Sequence, residues 1–375
     1  MVNQEDLNNK DFWVNKKVLL TGHTGFKGSW LLLWLLKLGA HVWGYSLPLS
    51  EDNKLFQQLN LSNISSNNLK GSFYNLERDI CNDIDLNNTL IEIKPDIVFH
   101  LAAQTIVRKS YSKPLETWET NVIGTLKLLE SLKAISNPCA VVLITSDKVY
   151  ENKNTLFGYR ENDLLGGVDP YSSSKAAMEI LVSSWRRSFC QNNLSRCNLS
   201  IATARAGNVV GGGDWAEDRL VPDVMRSLNQ GHKIKLRNPD SKRAWFHVLE
   251  PLSGYMQLAQ KMFLYHLNNP KEFNSVYTQC FNFGPDISSN KKVRDLVELI
   301  LNIWPGEWVQ VNDQNAPHEA KLLHLSSDKA YEVLNWKHKW NFDTTIDKTV
   351  KWYKKNQTFD ALTCCLNDLD DYESS

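Results

Sequence analysis

The chain has 375 residues, 42% of them hydrophobic and 22% charged, a composition typical of a soluble globular protein large enough for two lobes. Its 42 Lys and Arg residues balance 42 Asp and Glu residues, which argues against a nucleic-acid-binding or membrane-surface protein. The polar, acidic residues 1–6 do not resemble a signal peptide. Seven Cys, at positions 81, 139, 190, 197, 280, 364 and 365, lack C-x-x-C spacing and indicate free thiols in a cytoplasmic protein.

Buried-strand and helix patterns alternate through the first half of the chain. Predicted strands cover residues 17–20, 41–45, 72–76, 96–101, 140–145 and 199–203. Predicted helices cover residues 26–38, 84–93, 115–134 and a segment from Tyr171 onward. This alternation predicts an α/β fold, a doubly wound Rossmann-type parallel sheet with helices on both faces.

A glycine turn joins the first predicted strand to the first helix. Its glycines follow a G-x-x-G-x-x-G spacing rather than the literal G-x-G-x-x-G fingerprint. Glycines permit a tight turn and a close backbone approach, and the helix N-terminus attracts a pyrophosphate. A tight turn without a ligand is the alternative, and the strand–turn–helix order argues against it. The candidate dinucleotide-binding residues here are Gly22, Thr24, Gly25, Phe26, Lys27 and Gly28.

The ends of later strands supply the remaining cofactor candidates. The acidic residue expected about 20 positions after the turn is missing, so Ser46 is the candidate for a ribose hydroxyl. No Arg directly follows Ser46 to meet a 2′-phosphate, which favours NAD over NADP. Asp79 and Ile80 are candidates for contact with adenine. Small residues after the fourth strand either let a cofactor lie against the backbone or only pack closely; these candidates are Leu101, Ala102, Ala103 and Gln104.

Ionisable side chains follow the fifth predicted strand and begin the next helix. Tyr171 and Lys175 have i,i+4 spacing, so they share a helix face, and the Lys175 charge is expected to lower the Tyr171 pKa. Such a phenol can accept a proton from a substrate hydroxyl, and Asp147 and Lys148 can serve as acid and base in a second step. A Y-x-x-x-K match alone is weak evidence, because an ordinary solvated helix face can contain the same pair. It gains weight from the dinucleotide turn in the same chain.

The pattern changes after about Arg205, where shorter elements rich in Arg, Trp and Asn begin. We expect residues 1–205 to form an NAD-binding Rossmann domain, with about 240–265 packing back on it. Residues 206–239 and 266–360 are expected to form a smaller, mainly C-terminal substrate-binding lobe. The acidic segment 361–375 is a candidate for disorder. His23, His100 and His247 lack metal-ligand spacing, so we expect structural roles for them and no metal.

Taken together, these motifs resemble the extended short-chain dehydrogenase/reductase family over nearly the whole chain. The supporting strings are TGHTGFKGSWL from Thr21, LAAQ from Leu101, TSDKVY from Thr145, GGVDPYSSSK from Gly166, RAGNVVGGGDWAEDRLVPD from Arg205 and HVLEPLSGY from His247. Within the family the chain is most similar to the nucleotide-sugar 4,6-dehydratases. Lys148 stands where the dTDP-glucose and GDP-mannose enzymes have a glutamate base, and this feature is similar to the CDP-glucose group.

The resemblance implies that the reaction begins with oxidation of a sugar at C4. Tyr171 would take the proton of the 4-hydroxyl while hydride passes from C4 to NAD. Thr145 or Ser146 would bond the same hydroxyl, and Lys175 would hold the nicotinamide ribose.

Water elimination follows in the implied mechanism. Lys148, deprotonated, would remove the C5 proton, and Asp147, protonated, would protonate the departing 6-hydroxyl. Hydride would then return to C6 and a proton to C5, which gives a 4-keto-6-deoxyglucose nucleotide with no net change in NAD. Burial favours both neutral forms, whereas mutual attraction favours the ion pair, and the sequence does not decide between them.

Substrate contacts and assembly are also implied by the resemblance. Guanidinium groups match phosphate oxygens, although a solvated surface charge is the alternative for any single Arg and particularly for Arg237. The substrate-binding candidates are Arg108, Asn208, Arg219, Arg243 and Arg205. Family members pair as homodimers through the helix that carries the Tyr/Lys motif and its neighbour. They supply deoxysugar precursors for bacterial surface polysaccharides such as the O-antigen of lipopolysaccharide.

Other functions remain open at this point. An epimerase, or a dehydratase for another nucleotide sugar, shares the fold, and the Asp147-Lys148 pair argues against the epimerase. A non-catalytic NAD-binding regulator is a different class, and the intact Tyr171 and Lys175 argue against it.

Overall fold

A computed structural model describes residues 10–61, 69–190, 198–270, 275–311 and 323–375. Cys197 and the acidic residues 1–6 lie outside the described residues. The strands, in chain order, are β1 Lys17–Thr21, β2 His41–Ser46, β3 Phe73–Glu77, β4 Ile97–His100, β5 Cys139–Ile144, β6 Leu199–Ala206, β7 Val209–Val210, β8 Ile234–Leu236, β9 Lys242–Ala244, β10 Phe246–His247, β11 Cys280–Phe283, β12 Asn290–Lys292 and β13 Trp308–Gln310.

Helices cover most of the remaining chain. The α-helices are α1 Phe26–Lys37, α2 Lys54–Leu59, α3 Asp83–Ile93, α4 Val107–Ser112, α5 Pro114–Trp118, α6 Gly124–Leu132, α7 Pro170–Trp185, α8 Leu220–Asn229, α9 Leu249–Asn268, α10 Val293–Ile303, α11 Phe342–Lys355 and α12 Ala361–Ser374. Among the described residues, no helix is both long enough and apolar enough to cross a bilayer.

The central sheet has seven parallel strands in the order β11-β6-β5-β4-β1-β2-β3. Every residue of β4, β5 and β6 is buried, as expected for strands covered by helices on both faces. The strand order reverses direction between β1 and β4, and this switch point opens a crevice at their carboxyl ends. The observed sheet confirms the predicted doubly wound fold.

Three predicted boundaries need correction. Strand β11 pairs with β6 in the central sheet, although the sequence assigned residues 280–283 to the substrate lobe. Its four residues are too few, with Asn282 among them, to give an apolar run that predicts a buried strand. The predicted helix 115–134 is interrupted by a π-turn at Glu119–Ile123, between α5 and α6. The segment 361–375 is ordered, because nearly all of it forms α12.

Helix α12 packs against the back of α1, away from the glycine turn. The Trp34 indole N–H donates to Glu373 Oε1 at 2.9 Å, and Lys37 Nζ lies 2.8 Å from Glu373 Oε2. The buried Tyr372 contacts the Trp34 ring edge-on and donates its hydroxyl to Glu250 Oε2 at 2.7 Å. The acidic side chains of this segment therefore pair with α1 while its apolar face is covered.

The second half of the chain also packs on the central sheet. Helix α9 lies against β5 and β6, so residues of the second half complete the core of the first. Short two-stranded ribbons pair β7 with β10, β9 with β12 and β8 with β13. Contacts of Arg219 with Thr105 and of Arg108 with Asp218 bring the second half beside the residues that follow β4.

Candidate active site

The glycine turn after β1 sits where two backbones nearly touch. Gly22 has a φ of +70°, and a Cβ there would lie 2.6 Å from the Ala102 backbone nitrogen. A Cβ on Gly28 would lie 2.1 Å from the Gly22 carbonyl oxygen. Around Gly25, by contrast, the nearest atom to a Cβ would be Gly22 O at 3.5 Å. Gly22 and Gly28 therefore permit the close packing, while Gly25 leaves open space above the helix.

This geometry fits a dinucleotide. Gly25 is the N-cap of α1 and gives it no side-chain cap, so the first-turn amides stay available to an anion. Ser46 ends β2, and its hydroxyl donates to the adjacent Leu47 carbonyl at 3.3 Å. Leu101, Ala102 and Ala103 follow β4 beside Gly22 and remain partly exposed. These residues form a cradle at the switch point of the sheet.

Two cofactor candidates have local structural contacts. The Asp79 carboxylate accepts from the Cys81 amide at 2.8 Å, while its neighbour Ile80 is buried. The Gln104 side-chain amide donates to Thr117 Oγ1 at 3.0 Å and accepts from the Ile106 amide at 2.7 Å. The side chain of Gln104 thus holds the loop after β4 in place.

The catalytic turn, residues Ser146–Val149, follows β5 and brings an acid, an amine and a hydroxyl together. Ser146 caps a 3₁₀ turn by accepting from the Lys148 amide at 3.2 Å, and it donates to Asp147 Oδ1 at 3.0 Å. Lys148 Nζ lies 3.1 Å from the same carboxylate oxygen. The Asp147 side chain is 3% exposed and that of Lys148 is 34% exposed, so the pair spans the border between protein and crevice.

The ion pair prevails over desolvation at Lys148. Burial alone would lower the Lys148 pKa, but the Asp147 and Tyr171 charges and the Asp147 hydrogen bond outweigh it, and the pKa is raised. Arg243 opposes this rise. Without substrate, the Lys148 amine is therefore held in its protonated form.

Tyr171 lies in the first turn of α7, where Asp169 forms a capping box with Ser172 and Pro170 occupies the first turn. Burial raises the pKa of Tyr171, while the Lys148 charge and hydrogen bonding to Ser146 oppose that rise. The expectation that Lys175 lowers the Tyr171 pKa is therefore wrong in this state. The largest opposing charge is that of Lys148, on the catalytic turn.

The direction of the Lys175 side chain explains why its charge does not lower the Tyr171 pKa. Its Nζ donates to the Ile144 carbonyl at 3.0 Å, beneath the end of β5. Burial lowers the Lys175 pKa to about 7, and the nearby Lys27 charge lowers it further, against the charge of Glu179. Lys27 itself has a pKa lowered to about 8, first by burial and then by Arg219. Cations from three elements therefore converge on one buried space.

Two candidates have their polar groups turned away from this space. Thr145 Oγ1 donates to Glu179 Oε1 at 2.5 Å, so Ser146 and not Thr145 faces Tyr171. Arg205 is 2% exposed and pairs with Glu179, with Nη2–Oε2 at 2.8 Å. We therefore withdraw Thr145 as a hydroxyl-binding residue and Arg205 as a substrate-binding residue. Adjacent residues of a strand point to opposite faces, and the sequence did not show which face each one takes.

The remaining substrate candidates lie around the crevice mouth. Arg219 Nη1 donates to Asp214 Oδ2 at 3.0 Å, and the Asp214 charge is the main cause of its raised pKa. Arg108 Nη1 and Arg237 Nη2 both approach Asp218 Oδ1, at 3.3 Å and 3.6 Å. Arg237, a weak candidate from the sequence, therefore lies beside the same carboxylate as Arg108. Arg243, on β9, is near enough to Lys148 to affect its pKa, and Asn208 is half-buried in the turn after β6.

Sequence reasoning missed two buried polar residues that support the site. Glu179 lies one turn after Lys175 on α7 and binds both Thr145 and Arg205. Asn121, in the π-turn, donates to Ser174 Oγ at 2.9 Å and accepts from the Gln104 amide at 2.9 Å. Glu179 continues the i,i+4 series of Tyr171 and Lys175, and this spacing was the available signal.

The three histidines make local contacts. His100 Nδ1 lies 2.7 Å from Thr21 Oγ1, and burial lowers the His100 pKa to about 3. His23 Nε2 lies 2.8 Å from Asn75 Oδ1, and burial lowers its pKa to about 4, whereas that of His247 falls to about 3 for the same reason. Within the described ranges, no three His, Cys, Asp or Glu side chains are grouped to hold a metal.

Comparisons with known proteins extend these observations. A family model described as GDP-mannose 4,6 dehydratase matches residues 19–349. A CDP-glucose 4,6-dehydratase of Salmonella typhimurium is 42% identical over 370 residues, covering 98% of each protein. A dTDP-glucose 4,6-dehydratase from Bacillus anthracis, solved in complex with NAD, has a TM-score of 0.72 at 21% identity and covers 92% of this chain and 98% of its own. An epimerase from Methanothermobacter thermautotrophicus has a TM-score of 0.75 at 22% identity, with 95% and 97% covered.

The glycine turn yields a matched pair of variants. We expect Gly28→Ala to destabilise the protein by about 1–3 kcal/mol, because its Cβ would overlap rigid backbone. Gly25→Ala should change stability by less than about 1 kcal/mol, since lower chain entropy offsets a poorer N-cap. It should still weaken NAD binding by about tenfold or more, equal to about 1.4 kcal/mol, by filling the cradle. Thermal unfolding and NAD titration measure both, and unchanged NAD affinity in Gly25→Ala would exclude this turn as the pyrophosphate site.

Proposed function

Because the chain belongs to the GDP-mannose 4,6-dehydratase family, we propose that it is an NAD-dependent CDP-glucose 4,6-dehydratase. It removes water from CDP-glucose and yields CDP-4-keto-6-deoxyglucose, which makes it a hydro-lyase. The observation that carries this proposal is the Asp147–Lys148 pair beside Tyr171, with the amine 3.1 Å from the carboxylate. The 42% identical Salmonella relative supports the choice of nucleotide.

Oxidation at C4 depends on Tyr171 and its neighbours. NAD would be held by the glycine turn and the residues after β4, and when bound it would accept a hydride and later return it. Tyr171 accepts the 4-hydroxyl proton, and Ser146 bonds the same hydroxyl. The Lys148 and Arg219 charges favour the phenolate and oppose the effect of burial, which raises the Tyr171 pKa.

Water elimination requires Asp147 and Lys148 to exchange one proton. In the resting pair Lys148 is charged, whereas the reaction needs a neutral amine and a protonated carboxyl. A proton can move directly along the 3.1 Å hydrogen bond between them, and the net charge of the pair does not change. Substrate that displaces water from the crevice favours this neutral form, because desolvation penalises the two separate charges. Lys148 then removes the C5 proton and Asp147 protonates the leaving hydroxyl.

The diphosphate of the substrate needs cations at the crevice mouth. We propose Arg108, Arg219 and Arg243 for this role, with Arg237 beside Arg108. Before substrate arrives, Asp214 holds the Arg219 guanidinium, and Asp218 lies beside those of Arg108 and Arg237. Planar forks fixed in this way match phosphate oxygens at a low cost in side-chain entropy.

A substrate panel tests the proposed function. Purified protein is mixed with NAD and, in separate reactions, with CDP-, dTDP-, UDP- and GDP-linked sugars, and products are identified by mass and NMR spectroscopy. We expect a 4-keto-6-deoxy product from CDP-glucose alone, because the relative that covers 98% of this chain has that specificity in its name. Product only from another nucleotide would overturn the CDP assignment. No product from any sugar nucleotide would overturn the dehydratase assignment.

The roles of Lys148 and Tyr171 predict different losses. Lys148→Ala should reduce complete turnover by roughly 10²–10⁴-fold, the usual effect of losing a positioned base. The Lys148→Ala protein should still transfer hydride from the sugar to bound NAD, because Tyr171 remains. Tyr171→Phe should abolish both signals. Cofactor absorbance and product release measure the two steps separately, with Lys153→Ala as a control on an exposed lysine paired with Glu151. Full turnover by Lys148→Ala would remove Lys148 from the base role.

We also propose that the protein is a homodimer. Helices α5 and α6, with the π-turn between them, pack beside α7 and leave apolar side chains exposed. These are Leu115, Trp118, Ile123 and Ile180. A second copy with the same face would cover them by a two-fold arrangement, which is the common form of homo-oligomer. Tyr171 lies in the first turn of α7, and α5 packs against α7. A dimer interface on these helices would therefore restrict movement of the site.

The dimer proposal predicts a charge-sensitive interface. Ile180→Glu should shift the protein from dimer to monomer, because it would bury a carboxylate in an apolar face. Ile91→Glu on α3, at a position similarly exposed, should leave the assembly unchanged. Sedimentation velocity over a range of concentrations measures the mass. A wild-type protein that sediments as a monomer throughout would contradict the proposal.

Location and pathway are further parts of the proposal. Cys81, Cys280, Cys364 and Cys365 are free thiols, which supports a cytoplasmic location. A 4-keto-6-deoxy sugar nucleotide is chemically ready for reduction, epimerisation or amination, so an enzyme of that kind must use it. We propose that the product serves bacterial surface polysaccharides, including O-antigen. Sugar analysis of the polysaccharide after loss of the gene would show whether a deoxysugar disappears.

A further inference from the structure

The two halves of the candidate active site lie on different elements. Tyr171 and Lys175 belong to α7, whereas Asp147 and Lys148 belong to the turn after β5. The two segments are not adjacent in the chain, yet both must contact the same sugar ring. Their relative position therefore depends on buried contacts beneath the crevice.

Glu179 forms the first part of these contacts. Its carboxylate accepts from Thr145 Oγ1 at 2.5 Å, from Thr203 Oγ1 at 2.8 Å, and from Arg205 at 3.0 Å through Nε and 2.8 Å through Nη2. Burial alone would raise the Glu179 pKa, but the Arg205 charge and these hydrogen bonds outweigh it and lower the pKa. Glu179 is thus a fully bonded carboxylate, 4% exposed, on the same helix as Tyr171.

Arg205 connects Glu179 to the far end of the catalytic turn. Its Nη1 donates to the Tyr150 hydroxyl at 2.6 Å and to the Glu161 carbonyl at 3.1 Å. The Tyr150 hydroxyl in turn donates to Asn282 Oδ1 at 2.7 Å, on the edge strand β11. All these bonds are buried or nearly so, and water cannot replace them readily.

The catalytic turn is therefore held at both ends by one ion pair. Thr145, immediately before the turn, is bonded to Glu179, and Tyr150, immediately after it, is bonded to Arg205. Glu179 is also fixed to α7 by the chain itself, one helical turn beyond Lys175. The Glu179–Arg205 pair is the shared anchor of both catalytic segments.

We propose that Glu179 and Arg205 are positioning residues that set the distance between Tyr171 and the Asp147–Lys148 pair. This inference rests on the proposed function. Oxidation at C4 needs Tyr171 and the cofactor, but elimination also needs Asp147 and Lys148 in register with the same sugar. A looser anchor therefore slows elimination more than oxidation, because misplacement of about 1 Å can cost about 10²-fold in rate.

If the Glu179–Arg205 pair only stabilised the fold, the expected result would be different. Apolar residues of similar volume can replace many buried ion pairs without loss of stability. Removal of the pair would then leave both chemical steps unchanged, or reduce both equally if the protein lost folded material. The ratio between the two steps separates positioning from stability.

The experiment uses the full-length double variant Glu179→Leu/Arg205→Met, which removes both charges together and leaves no unpaired buried ion. Stopped-flow absorbance measures the reduction of bound NAD after CDP-glucose is added, and chromatography measures product. We expect the ratio of product formation to NAD reduction to fall by about 10- to 100-fold, with transient reduced cofactor accumulating. The control is Lys37→Met/Glu373→Leu, which removes an ion pair between α1 and α12 far from the turn. Its ratio should equal that of the wild-type protein.

A second variant keeps the test decisive if the double variant does not fold. Tyr150→Phe removes only the phenol hydroxyl between Arg205 and Asn282, so it should fold and shift the ratio in the same direction by a smaller factor. An unchanged ratio in the folded variants, or an equal loss of both steps, would overturn the positioning role. Wild-type protein without CDP-glucose turnover would instead overturn the proposed function, so the two failures are distinguishable.

Discussion

The close approach of two backbones at the switch point determines the layout of this protein. Strands β1 and β4 are neighbours in the sheet, but their following segments leave in different directions. Only a residue without a Cβ fits at Gly22, where the turn passes the Leu101–Ala102 peptide. That contact leaves the N-terminus of α1 and the ends of β4, β5 and β6 facing one crevice. The cofactor cradle, the catalytic turn and the loop with Asn208 therefore share a single edge of the sheet.

Electrostatics in this crevice are strongly asymmetric. Lys27, Lys148 and Arg219 lie close to Asp147 and Tyr171, and Lys175 lies beside Lys27 with its amine toward the Ile144 carbonyl, so cations are concentrated in this part of the crevice. Mutual repulsion and burial explain why two of these amines, Lys27 and Lys175, have lowered pKa values. Such a site favours ligands that bring negative charge, and both a nucleotide sugar and a dinucleotide carry a diphosphate.

Much of this organisation was accessible from sequence. Hydrophobic periodicity and motif spacing predict six of the central strands, the glycine turn and the helix with Tyr171 and Lys175. They do so because both signals reflect local geometry. Strand β11 was missed because four residues with a central Asn give no periodic signal. The directions of Thr145, Lys175 and Arg205 depend on partners 26 to 59 positions away in the chain, and local spacing does not encode such contacts. The order of α12 was obscured by its acidic residues, although Ala361, Cys365, Leu369 and Tyr372 repeat at helical spacing.

The packing of α12 on α1 has a consequence for how the chain acquires its fold. Helix α1 is buried on nearly every side, and part of that cover comes from residues such as Tyr372, more than 300 positions later in the chain. Strand β11, which supplies Asn282 beside the catalytic turn, also comes late. During synthesis the first 200 residues therefore emerge with an uncovered apolar helix and an unpaired strand edge. Because exposed apolar surface and unpaired strand edges are prone to aggregation, we expect the nascent nucleotide-binding half to need protection until the last helix has been synthesised.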